Sequence, residues 1–440
     1  MNAIRGFVNG NNAGSYDAYM RRIENMHGDG VQEAVAQEHS NILERDGFKF
    51  SSEEFIRALG TLDVRTHTIP FIALLVTKLH KDINMKGDRL NNVRHTVHVV
   101  MDKLAHLKMS DARFMTDYFF NAMRIIMGVT KHLNTKEDKV ACIRAVRNGL
   151  IAFDGGERKI TILHPEFFQL CIQLDAESIA REVICKNARD YILASDSADI
   201  DYVKLTFLYF YLAGDVQFYL GSFRQALHLY LSALMVPMEN LTADHCLIYK
   251  RFVLLNFILG NAVKEIPSCL QNMMNQTLRS KIAEYDELIT LASKEIYNFD
   301  NAAAVCRHIN SKFSIFEKDN NTELVERVRI RVTHEAVMRV ARSFKVISIE
   351  KVQKMAFLKN TKETLNLLSQ LADDGRLKFD YNEETGFMTI TIPESRRPNA
   401  DVLAAAQKKI VDLKNVVSRD HDKTRSSKFL VGKNDKENMM

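Results

Sequence analysis

Glycine and proline are scarce in this chain, with 18 and 6 among 440 residues, where average usage gives about 31 and 22. Turn-dense folds such as β-sandwiches and propellers draw on both residues, so the deficit favours helix. Long apolar runs are missing too. The densest, Phe71 to Val76, gives way to Thr77 and Lys78, well short of the roughly 18 residues a spanning helix needs. The first residues, Met1 to Asn12, lack a secretory apolar core. Cysteine is thin and dispersed: Cys142, Cys171, Cys185, Cys246, Cys269 and Cys306 include no C-x-x-C pair. That spacing reads as reduced core or near-core thiols of a cytoplasmic or nuclear protein and not as a disulfide framework. Charge of one sign is also lacking. A net +5 from 60 basic and 55 acidic residues is weak for a dedicated nucleic-acid binder.

Catalytic signatures are absent as well. The sequence has no G-x-x-x-x-G-K-[ST], no G-x-G-x-x-G after a strand, no G-x-S-x-G, no H-E-x-x-H and no H-x-H. Gly155-Gly156 ends a helix without phosphate-loop spacing. His95 and His98 are three apart on an expected helix and share a face, but they read as surface or half-buried histidines. No catalytic residue, metal or cofactor is expected.

What is present is a chain of two to three domains' length, 46% hydrophobic and 26% charged, the profile of a soluble globular protein. Residues 1–45 are polar, with weak helical periodicity interrupted by Gly10, Gly14, Gly28 and Gly30, and are expected to be weakly structured. Ser51 and Glu54 have capping-box spacing. Amphipathic stretches then follow near 113–133, 136–153, 165–174, 176–193, 200–219, 222–235, 242–260, 262–275, 277–296 and 299–311, with no convincing strand between them. Helix pairs at this spacing predict a helical-repeat solenoid over 46–322.

One pair is sharper. Phe210, Gly214, Gly221, Phe223, Ala226, Tyr230 and Ala233 fall where a tetratricopeptide-type (TPR-like) repeat places aromatic, Gly, Gly, aromatic, Ala, aromatic and Ala. Gly221 lets the chain turn, the alanines let two helices approach, and the rings fill the rest. Gln217 replaces a usual aromatic and Pro237 is one residue early. These positions read as packing, with no ligand role.

Beyond residue 323 the pattern changes. Leu324, Val328, Val332, Ala336, Val340 and Phe344 recur every four residues and predict one helix from Glu323 to Phe344. Val346-Ile347 is a short extended piece. Ser348 caps a helix with Ile349, Val352, Met355 and Ala356, and Thr361 caps another with Leu365, Leu368 and Leu371. Leu377, Phe379 and Tyr381 alternate with polar residues, Asn382 to Gly386 turn, and Met388, Ile390 and Ile392 alternate again. Three helices and a hairpin make a winged helix over 323–395. Its groove-facing helix would offer one Lys362 against Glu363, Asp373 and Asp374, a poor phosphate surface, so protein contact is the better use. Pro393 and Pro398 close the module. From 399 to 418, Leu403, Ala406, Ile410, Leu413 and Val417 form an a/d seam suited to a bundle with other chains. Residues 419–440 are polar and expected to be disordered. The fold class is mainly α: a solenoid, a winged helix and a C-terminal amphipathic helix.

This order resembles the PCI family, scaffold subunits of the proteasome lid, the COP-nine signalosome and translation initiation factor three, over roughly 160–395. Three blocks are most similar to the subunit-three branch of the signalosome members: Ile162 to Cys171, Tyr209 to Pro237 continuing through Tyr249 to Gly260, and Leu371 to Asp380. Residues 1–110 carry no such similarity. The resemblance implies a non-catalytic scaffold of the complex that removes a ubiquitin-like modifier from cullins and so controls cullin-RING ubiquitin ligases, with the chemistry in another subunit. Its implied partners are other PCI and metalloprotease-type subunits and, indirectly, cullin-RING ligases, with no membrane or nucleic acid, in cytoplasm and nucleus. The edge strand for pairing with neighbouring winged helices is expected at Phe387, Met388, Thr389, Ile390, Thr391 and Ile392. A scaffold of the proteasome lid or initiation factor, and a PCI-type nucleic-acid adaptor, are the alternatives.

Overall fold

The structure is a computed structural model and describes residues 16–24, 32–45, 48–84, 88–154, 160–184, 202–236, 242–263, 279–293 and 301–393. The chain divides into two units, Met1–Glu295 with Ala304–Arg331, and Ile296–Ala303 with Val332–Met440. Among the described residues no helix is long and apolar enough to cross a membrane.

The first unit is helical throughout its described residues. It comprises α1 (Tyr16–Glu24), α2 (Gln32–Arg45), α3 (Ser52–Thr61), α4 (Thr68–Asn84), α5 (Arg89–Val100), α6 (Met109–Ala112), α7 (Thr116–Thr130), α8 (Lys136–Asp154), α9 (Leu163–Gln173), α10 (Glu177–Ala180), α11 (Tyr202–Tyr219), α12 (Phe223–Leu234), α13 (Ala243–Ile258), α14 (Arg279–Ser293), α15 (Asn301–Ser311) from Ala304 onward, and α16 (Phe313–Lys318). Neighbours in sequence pack on one another: α4 on α5, α7 on α8, α11 on α12, α12 on α13, and α13 on α14. Residues 264–275 of the predicted helix at 262–275 lie outside the described residues, as do residues 185–193 of the stretch 176–193.

The expectation of a weakly structured segment over 1–45 needs correction for α1 and α2. Tyr19, Ile23, Ala36 and His39 are buried, and the Tyr19 hydroxyl lies 2.9 Å from His39 Nε2. The short apolar stretches are too sparse for a clear period. They become ordered because Tyr19 packs edge-on against Phe48 and α2 lies on α4. Helix α4 is the centre of this end, buried on nearly every side from Thr68 to Leu79, as an all-round apolar helix must be. Its buried Lys78 pairs with the buried Asp82 one turn on, and Thr96 of α5 donates to the other Asp82 oxygen at 2.8 Å.

Helix starts follow the local chemistry. The Ser51 main-chain N–H donates to Glu54 Oε2 at 2.7 Å, and the Glu54 N–H donates back to Ser51 Oγ at 3.3 Å. Histidine takes the place of Glu in the capping box of α13, and a histidine accepts in the same way at the start of α9. The Thr161 N–H donates to His164 Nδ1 at 3.0 Å, and the Thr242 N–H to His245 Nδ1 at 3.1 Å. Each imidazole then stacks inward, His164 edge-on against Tyr209 and His245 flat on Phe207 with centroids 4.1 Å apart.

Helix α17 (Thr322–Ser343) begins in the first unit and ends in the second. The four-residue recurrence is its buried stripe: Leu324, Val328, Val332, Ala336 and Val340. In the second unit the chain continues through β1 (Val346–Ser348), α18 (Ile349–Ala356), α19 (Thr361–Asp373), β2 (Lys378–Asn382) and β3 (Phe387–Thr391). The core of this unit is Ile347, Val352, Ala356, Leu368, Leu371, Leu377, Met388 and Ile390. Ser348 is the N-cap of α18 by position, but its side chain makes no capping bond. The cap of α19 is Asn360, not Thr361: Asn360 Oδ1 accepts from the Glu363 N–H at 2.8 Å. Asn commits the preceding loop more strongly because its carbonyl reaches the third helical N–H.

Candidate assembly interface

The three strands form one antiparallel sheet in the order β1-β3-β2. Val346 pairs with Thr389 and Ser348 with Phe387; Lys378 pairs with Thr391 and Asn382 with Phe387. Strand β3 is therefore central, and the expectation that Phe387 to Ile392 forms the free edge is overturned. The reason is physical: the second strand of an isolated hairpin is an edge, but here three extended residues 40 positions upstream fill that side. Among the described residues the edges are β1 and β2. Strand β2 is the longer, and the turn leading out of it is held by Asn382, whose Oδ1 accepts from the Glu384 and Thr385 N–H groups at 2.9 and 3.1 Å.

Alternation divides the sheet into two faces. Ile347, Met388 and Ile390 point into the core, while Val346, Phe387, Thr389, Thr391, Lys378 and Asp380 point outward. On that outer face Val346 is 60% and Phe387 51% exposed. They are diagonal neighbours across β1 and β3, close enough for an aromatic ring and a branched side chain to meet. Phe357, 44% exposed, ends α18 in the left-handed conformation with φ 56°, which a non-glycine residue adopts only at a cost.

The groove-facing helix offers little to a nucleic acid. Thr364 is buried, and Glu363 Oε2 accepts from the Lys359 N–H at 2.9 Å. Three arginines of α17 are engaged locally. Arg327 pairs with Glu323 at 2.9 Å and lies 4.8 Å over the Phe223 ring. Arg329 pairs with Glu326, and Arg331 donates to the Ile258 carbonyl at 2.6 Å, closing the C-terminus of α13. His95 and His98 are exposed, and His98 Nε2 lies 3.3 Å from Asp138 Oδ1.

The residues of the sharp repeat are gathered between α11 and α12. Phe210, Ala226, Tyr230 and Ala233 are buried, and Phe223 is half-buried. A Cβ on Gly214 would lie 2.7 Å from two carbons of the Tyr230 ring, and Gly221 has φ +71°. So both glycines are required, one by close approach and one by backbone sign. Sequence reasoning missed what holds this pair to α13. Tyr230 donates to Asp215 Oδ1 at 2.6 Å, and Arg251 Nη1 donates to the same oxygen at 2.5 Å. Burial pushes the Asp215 carboxyl up and Arg251 draws it back. Gln217, where an aromatic is usual, is buried, and its Oε1 has no hydrogen-bond partner. Cys142, Cys171, Cys246 and Cys306 are buried and form no disulfide. Burial lifts the Cys142 and Cys171 thiols to about 11 and about 12, so they are inert. The seam residues Leu403, Ala406, Ile410, Leu413 and Val417, and also Pro237, Cys185 and Cys269, lie outside the described residues.

Comparison with known proteins agrees with both parts of this architecture. Residues 33–274, more than half of the chain, match the family model described as "COP9 signalosome complex subunit 3, N-terminal helical repeats", and residues 300–391 match the PCI domain. Among curated proteins, COP9 signalosome complex subunit 3 of Arabidopsis thaliana is 23% identical over 258 residues, covering 58% of this chain and 57% of that protein. The protein of the same name from Dictyostelium discoideum is 22% identical over 336 residues, covering 75% of each. The match thus spans little more than half the length of the Arabidopsis relative. A helical-repeat unit running into a winged helix, with both family models matched in that order, places this chain in the COP9 signalosome subunit 3 family of PCI-domain proteins.

Proposed function

We propose that this chain is a non-catalytic scaffold subunit of the COP-nine signalosome, the complex that removes a ubiquitin-like modifier from cullins and thereby regulates cullin-RING ubiquitin ligases. The observation that carries this reading is the match of residues 33–274 to the subunit 3 helical repeats. The chemistry is assigned to a metalloprotease-type subunit, and this chain positions its neighbours. Its direct partners are other PCI subunits; cullin-RING ligases are reached through the assembled complex, in cytoplasm and nucleus.

The mechanism is architectural. An edge strand offers a row of main-chain donors and acceptors that a neighbouring winged helix completes by continuing the sheet. With β3 internal, β2 is the longer strand left for this, and its outward Lys378 and Asp380 keep the edge from pairing indiscriminately. The seam Leu403 to Val417 enters a helical bundle with the other subunits.

Depleting this chain from cells tests the reading. The modified fraction of cullins is expected to rise, while the purified chain alone shows no hydrolysis of the modifier. An unchanged fraction after depletion contradicts it. Membership of the proteasome lid or initiation factor three is the second reading, favoured only by the PCI domain, which those assemblies share.

A further inference from the structure

We propose that Glu284, Glu287 and His308 form a binding site for a divalent transition-metal ion of the Zn²⁺ class. Glu284 and Glu287 stand three residues apart on α14 and so share a face, and His308 projects from α15 toward them. One ligand atom from each residue lies within 4.8 Å of the others.

The hydrogen bonding around these three groups leaves acceptors facing acceptors. His308 is 8% exposed, and its Nε2 lies 3.0 Å from the Glu284 main-chain oxygen. A carbonyl can only accept, so Nε2 carries the proton and the Nδ1 lone pair of the neutral ring is bare. That lone pair lies 3.8 Å from Glu287 Oε2, too far for a hydrogen bond. Glu284 is divided between two tasks. Its Oε1 receives the Lys312 ammonium at 2.8 Å, while its Oε2 is buried without a hydrogen-bond partner. A buried acceptor left unsatisfied is costly, and a cation among the three groups removes that cost.

The donor set selects the ion. One imidazole nitrogen and two carboxylates suit Zn²⁺ and its neighbours. The imidazole disfavours Ca²⁺ and Mg²⁺, which take oxygen ligands, and no thiolate is present to favour Cu(I). The second shell is built: a carbonyl fixes the His308 tautomer and Lys312 orients Glu284, the pattern that tunes metal ligands elsewhere. Glu287 is the entrance. Its side chain is 60% exposed, so it can close on an ion arriving from water, and a position remains for a water ligand.

The test uses the full-length chain freed of metal by chelation. Zn²⁺ is titrated calorimetrically, and Co²⁺ is followed by its visible absorption, in the wild type and in Glu287→Gln. That substitution alters an exposed side chain, and circular dichroism confirms the fold. Wild type is expected to take up one ion more than Glu287→Gln, or the same ion at least about tenfold more tightly. Zn²⁺ is also expected to raise the unfolding midpoint of the wild type more than that of the variant. Equal stoichiometry and affinity in the two proteins overturns the proposal, whatever other histidines bind, and leaves an ordinary histidine–glutamate contact. A His308→Gln protein that folds and retains the same difference from Glu287→Gln also overturns it.

Discussion

Arg251 and Asp215 stand on different helices, 36 residues apart, with Arg251 Nη1 2.5 Å from Asp215 Oδ1 and the Tyr230 hydroxyl 2.6 Å from the same oxygen. One buried carboxylate thus ties α11, α12 and α13 together. Removing one member leaves a buried charge unpaired, which costs about 3–5 kcal/mol. Arg251→Met and Asp215→Asn are each expected to lose that much in urea unfolding of the full chain. The double variant is expected to lose clearly less than the sum, because neither charge is then stranded.

Gly214→Ala should be destabilising despite the better helix propensity of alanine. The added Cβ meets the Tyr230 ring at 2.7 Å, and the ring cannot swing aside without giving up its bond to Asp215. Overpacking of this kind costs about 1–3 kcal/mol. Gly221→Ala strains a left-handed turn instead, at roughly 1–2 kcal/mol. Denaturation midpoints distinguish both from a neutral change.

Stability should fall as the medium is acidified from about pH 6.5 toward pH 4. Burial holds His39 and His164 down to about 4 and lowers His245 in the same direction. For His164 and His245 a proton on Nδ1 also displaces the threonine N–H that this nitrogen accepts at the start of the helix. The folded state therefore binds fewer protons than the unfolded chain, whose histidines titrate near 6.5. This stability is fully present above pH 6.5 and is lost as pH falls through the folded values. A gap of about 2.5 units, at about 1.4 kcal/mol each, is on the order of 3 kcal/mol for His164. His164→Gln should flatten the acid limb of a stability-against-pH curve.

The solenoid-like repetition, the long helix and the winged helix were all legible because each leaves a local periodicity. Leu324, Val328, Val332, Ala336 and Val340 recur every four residues, and Met388 and Ile390 alternate with outward threonines. What was not legible is non-local. Val346 to Ser348 is too short to show a period, and its pairing with Phe387 to Thr389 crosses some 40 residues. That omission put the free edge on the wrong strand. The Asp215–Arg251 tie likewise joins two positions that look unremarkable on their own helices. The Thr242-x-x-His245 capping box escaped because histidine is not the usual residue there.

Proline placed at successive residues of β2, Lys378 to Asn382, should divide into two alternating classes. Where the N–H points to β3, proline removes a ladder bond and unfolds the winged helix; where it points away, the fold survives. The second class is expected to retain its helical circular dichroism and to lose assembly with neighbouring PCI subunits. If the second class assembles at wild-type yield, β2 is not the pairing edge.

Ile410→Asp and Leu413→Asp place a charge in the a/d seam. Each is expected to abolish co-purification with the other subunits while leaving the unfolding transition of the solenoid unchanged. Assembly at wild-type yield removes the bundle role from this helix.

The most direct measurement of the central claim is a lightly tagged chain purified from native extract, with its partners identified by mass spectrometry. The account predicts a set of PCI and metalloprotease-type signalosome subunits, with cullins associated. Recovery with a proteasome base or a ribosomal small subunit, as a solitary chain, or with RNA alone contradicts it.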